Sequence, residues 1–113
     1  MSTSHVTTHV LDTASGRPAA GVPVILQEPD GERWVRLAEG LTDADGRIKE
    51  LGPERLASGT YRLVFDTGKY FAANGTQAFF PEVALTFSLA ESEAHYHVPL
   101  LLSPFAYSTY RGS

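Results

Sequence analysis

Two histidines stand two residues apart, His95 and His97, and two more lie near the start, His5 and His9. An imidazole changes charge near neutral pH, so it can move protons or bind a metal through an unprotonated nitrogen. A spacing of two puts His95 and His97 on one side of a strand, where zinc could bind, with His9 as a third ligand. No Asp or Glu obviously completes that set, and H-x-H pairs also occur by chance. Zinc is therefore the weaker reading, and taken alone each of these residues reads more readily as structural than as catalytic. The final Tyr110-Arg111-Gly112-Ser113 adds a phenol, a guanidinium, a hydroxyl and a carboxylate to the same stretch. Arg47 follows the turn Thr42-Asp43-Ala44-Asp45-Gly46 and taken alone reads as a solvated arginine at a strand start. That turn looks like the opening of a calcium loop, but counted from Asp43 the sixth position is Ile48, where such a loop needs glycine. A β-turn is expected. Asn74-Gly75-Thr76 matches a glycosylation acceptor, idle without a secretory leader.

These residues need elements to hold them, and the pattern is mostly β. His5 to Asp12 alternates and is rich in Val and Thr. Further strands are expected over Pro23 to Glu28, Arg33 to Leu41, 47 to 51 and Thr60 to Asp66. Val83, Leu85, Phe87 and Leu89 alternate with small or polar residues, as do Tyr96, Val98, Leu100 and Leu102. A last strand is expected from about 105 to 112. Turn signals separate them: Ser15-Gly16-Arg17-Pro18, Pro29-Asp30-Gly31, Asp45-Gly46, Ser58-Gly59, Asn74-Gly75 and Ser103-Pro104. Seven or eight short strands at this spacing predict a sandwich or barrel. Only Gly68 to Asn74 suits a short helix.

Composition excludes several functions. With 113 residues and 42% hydrophobic content, one domain over residues 1–113 with one core is expected. The net charge is −4 and no Lys/Arg cluster occurs, so nucleic acid is not an expected partner. There is no cysteine, hence no disulfide and no thiolate nucleophile. No signal peptide, membrane span or peroxisomal ending is read, so a cytoplasmic protein is expected.

Strand parity links the pattern to chemistry. Successive side chains of a strand point to opposite faces. If Tyr96, Val98, Leu100 and Leu102 face the core, then His95, His97, Pro99 and Leu101 face outwards. If Val6, Thr8 and Val10 are inside, then His5, Thr7, His9 and Leu11 are outside. At least three of the four histidines are thus expected on outer faces. Leucines beside them suggest a surface covered by another subunit.

The stretches THVLDTASGRPAAGVPV (8 to 24), TDADGR (42 to 47) and HYHVPLLLSPFAYSTYRGS (95 to 113) closely resemble the transthyretin-related 5-hydroxyisourate hydrolases. The resemblance runs the whole length in order, and the terminal YRGS is its most specific part, since the hormone carrier transthyretin lacks that ending. It implies an all-β, transthyretin-like sandwich of two four-stranded sheets with one short helix. It also implies a homotetramer, with the site in a channel on the outer face of the sheet that holds the first strand, the strand after TDADGR and the last two strands. The family's site residues map onto His9, Arg47, His97, Tyr110, Arg111, Gly112 and Ser113. Catalytic roles would fall to His9, Arg47, His97 and Ser113, and substrate contacts to His9, Arg47, Tyr110, Arg111 and Gly112. No metal or cofactor is implied.

The implied reaction is hydrolysis of 5-hydroxyisourate to 2-oxo-4-hydroxy-4-carboxy-5-ureidoimidazoline in urate degradation. It needs a base for the attacking water, a donor for the oxyanion and a proton for the leaving ring nitrogen. His9, His97 and Arg47 match that list, with base and acid left open between the histidines. Two other readings stay beside it: a transthyretin-like small-ligand binder without catalysis, and a structural sandwich of the kind appended to larger proteins.

Overall fold

Residues 3–113 are described in the computed structural model; Met1 and Ser2, the start of the domain expected over 1–113, lie outside them. The elements follow the turn signals in order: β1 (Val6–Asp12), β2 (Arg17–Pro18), β3 (Pro23–Asp30), β4 (Arg33–Leu41), β5 (Arg47–Ile48), β6 (Gly59–Phe65), α1 (Thr67–Ala73), β7 (Val83–Leu89), β8 (Tyr96–Leu102) and β9 (Tyr107–Thr109). They form two sheets. The second is the antiparallel series β4-β3-β6-β7. In the first, β1 runs parallel to β8 from Val6 opposite Tyr96 to Asp12 opposite Leu102, and β9 pairs antiparallel with β8. The free edge of β1 is shared. β5 pairs at Thr8 and His9, and β2 pairs at Leu11 and Asp12. This sheet therefore holds five strands yet is four strands wide. The chain is an all-β sandwich with one short helix, as its sequence predicts.

Alternation makes the core. Val6, Val10, Leu63, Phe65, Val83, Leu100 and Leu102 are buried to within 1% exposure, and Tyr61, Leu89, Tyr96 and Val98 nearly so. Each such side chain contributes roughly 1.5–3 kcal/mol by leaving water. Buried hydroxyls are paired within the fold: Thr42 Oγ1 donates to the Ala19 carbonyl and accepts from the Val22 amide. Asp66 caps α1 by accepting from the Lys69 amide, so the helix starts at Thr67 and ends one residue before Asn74. No helix among the described residues is long and apolar enough to cross a membrane.

Four local expectations shift. β3 runs on through Pro29 and Asp30, and its hairpin turns at Gly31, whose φ is +66°. The strand expected over 47 to 51 keeps only Arg47 and Ile48, because the Lys49 carbonyl turns to accept from Ser4. The last strand is shorter than 105–112, because Ser103 and Ala106 close a turn that delays its start. Finally, His5 is not on the outer face. It precedes β1 at a bend, where period-two alternation does not hold, and its ring is fully buried. Its Nδ1 accepts from the Leu56 amide at 2.9 Å, so Nε2 carries the hydrogen and donates to the Glu93 carbonyl at 2.7 Å. The outward histidines are His9, His95 and His97.

Candidate active site

The turn before β5 sets Arg47. The Asp43 carboxylate accepts from the amides of Asp45 and Arg47, both at 2.9 Å. The hydrogen bond from Arg47 comes first among the causes that hold this carboxyl below its usual range. Gly46 takes φ +76°, and a Cβ there would lie 2.3 Å from the Val10 carbonyl. Only glycine lets the turn press this close to β1, and the Val10 amide donates to the Gly46 carbonyl at 2.7 Å. The result is register: Arg47 falls directly opposite His9.

On the other side of β1, parallel pairing sets His97 beside Thr7 and Pro99 beside His9. The rings of His9 and His97 lie 6.4 Å apart, and those of His95 and His97 lie 6.3 Å apart. Thr7 Oγ1 stands between the last pair, 2.9 Å from His95 Nε2 and 2.8 Å from His97 Nδ1. Burial lowers the pKa of His97, and the positive fields of Arg47, His95 and His9 lower it further. His97 therefore favours the neutral form, which can accept a proton.

The final residues return to this spot. The Gly112 amide donates to the His97 carbonyl at 2.8 Å, and a Cβ on Gly112 would lie 2.6 Å from His97 Cδ2. Glycine at 112 is what lets the chain cross the imidazole. Ser113 then borders a hollow of about 220 Å³ together with Thr7, Arg47, Lys49, His95 and His97. Among the described residues two fixed cations line it and no Asp or Glu side chain does, although the chain as a whole carries −4. Such a hollow suits an oxygen-rich ligand and a developing negative charge.

Of the residues singled out from sequence, Arg47, His97 and Ser113 meet at the hollow, with His9 beside them across β1. Tyr110 and Arg111 are placed differently. The β8–β9 register continues to the His97–Gly112 bridge, which sets Tyr110 opposite Pro99, in the row of His9, and more than half exposed. Arg111 falls on the other face: its guanidinium lies 4.4 Å over the Tyr96 ring and 3.7 Å from the Glu93 carboxylate. Both border a separate hollow of about 420 Å³ between β7, the start of β8 and the chain's last residues. Sequence reasoning gave Thr7 a face but no role, because only the parallel pairing of β1 with β8 brings it beside His97. Among the described residues no three metal-ligating side chains converge to hold an ion.

A fold of this topology has known counterparts. The model of the HIUase/Transthyretin family matches residues 6–112, and the chain belongs to that family. A 5-hydroxyisourate hydrolase of Caulobacter vibrioides is 50% identical over 114 residues, covering 97% of this chain and 99% of the relative. The solved 5-hydroxyisourate hydrolase of Klebsiella pneumoniae is 41% identical, with a TM-score of 0.85 over the whole of both chains. The transthyretin of Sparus aurata is 32% identical, with a TM-score of 0.90 over 96% of each.

Proposed function

We propose that this protein is a cyclic amide hydrolase that opens the ring of 5-hydroxyisourate with water, giving 2-oxo-4-hydroxy-4-carboxy-5-ureidoimidazoline in urate degradation. The observation that carries the reading is the meeting of Arg47, His97 and Ser113 at one cationic hollow beside His9. Neutral His97 takes the proton of the attacking water. The Arg47 guanidinium, which keeps its charge throughout, stabilises the oxyanion that forms on the carbonyl. His97 hands the water's proton on to the leaving ring nitrogen, while His9 supplies a second imidazole that holds the ring and Ser113 orients substrate. Tyr110 narrows the approach, Gly112 permits the close crossing of His97, and Arg111 anchors the last residues against Tyr96 and Glu93 rather than touching substrate. The working unit is a homotetramer of single-domain subunits in the cytoplasm, with no nucleic-acid or membrane partner.

The test is direct. Purified protein should speed the loss of freshly generated 5-hydroxyisourate above its spontaneous decay, and no acceleration would sink the proposal. The TM-score of 0.90 to a transthyretin supports one other reading, a binding protein without chemistry. Tight, saturable binding of an iodinated phenol by a protein that leaves 5-hydroxyisourate untouched would favour that reading.

A further inference from the structure

The geometry points to a proton relay behind the site: His97 Nδ1, Thr7 Oγ1 and His95 Nε2 form one hydrogen-bonded chain that carries a proton away from His97 and returns it. The inference rests on His97 acting in the proposed hydrolysis and assigns working parts to Thr7 and His95.

A threonine hydroxyl has one hydrogen. Held 2.8 Å from one ring nitrogen and 2.9 Å from another, it donates to one and accepts from the other. The two rings are therefore coupled. In the resting direction His97 carries its hydrogen on Nδ1 and donates to Thr7, and Thr7 donates to His95 Nε2. That leaves His97 Nε2 bare, as a base requires. When Nε2 takes a proton from water, the Nδ1 hydrogen passes to Thr7 Oγ1, and the hydroxyl hydrogen passes to His95 Nε2. His97 ends neutral in its other tautomer, Thr7 is again a hydroxyl, and the positive charge rests on His95. In the second half the new Nε2 hydrogen goes to the leaving ring nitrogen. As that hydrogen leaves, His95 gives its extra proton back through Thr7 to His97 Nδ1, so the ring stays neutral throughout. Every proton is accounted for and the site is reset.

The placement of charge is the reason for such a chain. Arg47 and Lys49 border the hollow with His97, and His9 lies beside it on β1. An imidazolium at His97 would stand in that positive field, partly out of water. His95 is exposed and hydrates its charge. Thr7 is only 5% exposed, so water does not readily replace its hydroxyl.

Three variants test the relay: Thr7→Val, Thr7→Ser and His95→Gln. Valine keeps the shape and removes the hydroxyl; serine restores it. His95→Gln changes an exposed residue and breaks the chain at its far end, so it speaks even if Thr7→Val fails to fold. Expected is a fall in kcat of at least about tenfold for Thr7→Val and His95→Gln, part of the roughly 10²–10⁴-fold that positioned proton transfer supplies. Thr7→Ser should recover most of it. The double variant should lose no more than either single one, because they break one chain. The second readout needs no turnover: ¹⁵N spectra of the imidazoles should show His97 as the Nδ1–H tautomer in the parent protein and a tautomer mixture in Thr7→Val or His95→Gln. Unchanged kcat, or unchanged His97 tautomers in both variants, would overturn the relay. A parent protein without hydrolysis overturns the proposed function, and the ¹⁵N spectra still decide the hydrogen-bonded chain.

Discussion

Arg47 and Lys49 both border the hollow, but only one of them has a planar fork of donors. Replacing Arg47 with Lys keeps the charge and removes the fork. The expected loss is roughly 10²–10³-fold in rate, the usual cost of one fixed oxyanion donor, with melting temperature unchanged. Near-native turnover of Arg47→Lys would make Arg47 a surface charge only. His97 gives a pH prediction whose sign is fixed by its lowered pKa. The base works unprotonated, so kcat/KM should rise with pH through a midpoint below the ordinary imidazole value of about 6.5. A midpoint above that value would contradict the placement of His97. The same group affects stability. Its folded pKa is depressed, so the folded state disfavours its proton; its contribution is complete above the unfolded value of about 6.5 and is lost as pH falls from there through the lower folded pKa.

At the scale of elements, the turn from Asp43 to Gly46 is what turns Arg47 from a solvated side chain into one aligned with His9. Gly46→Ala puts a methyl group against the Val10 carbonyl at a left-handed φ. The φ alone costs about 1–2 kcal/mol, and the clash adds to it. The urea midpoint should fall, and activity should fall further than stability because Arg47 moves. An unchanged midpoint would show that the turn does not hold the strand. The sequence showed this element because Asp-Gly before a β pattern is strong turn chemistry. It showed the faces of β6, β7 and β8 equally well, since seven alternating residues fix parity. It failed where alternation stops. His5 sits one residue before its ladder and tucks inwards, and Arg17–Pro18 reads as a turn although it pairs with β1. Arg111 was drawn to the site by its neighbours in YRGS, yet period two sends it to the opposite face. The relay hydroxyl of Thr7 could not be seen at all until β1 lay parallel to β8, a pairing that no local signal announces.

For the whole molecule, the unpaired matter is surface. Leu11 and Leu101 are only part-buried, Leu41, Phe105 and Tyr107 are exposed, and among the described residues β7 and β9 end their sheets without a neighbour. Uncovered strand edges and apolar residues invite like surfaces. We expect four chains, measured as mass by light scattering after size exclusion at micromolar concentration; a clean monomer would remove the shared-channel arrangement. The long parallel pairing of β1 with β8 has a last consequence, which concerns how the molecule comes into being. Thr7 and His97 touch across 90 residues of sequence. Closing so long a loop precedes any gain from the pairing, and folds dominated by such contacts form slowly. A chain emerging from the ribosome can make the β3–β4 hairpin early, but until β8 arrives it holds His9 and Arg47 with nothing to act beside. On the proposed roles, the site is thus the last thing to be assembled, and no partly made copy holds all of it.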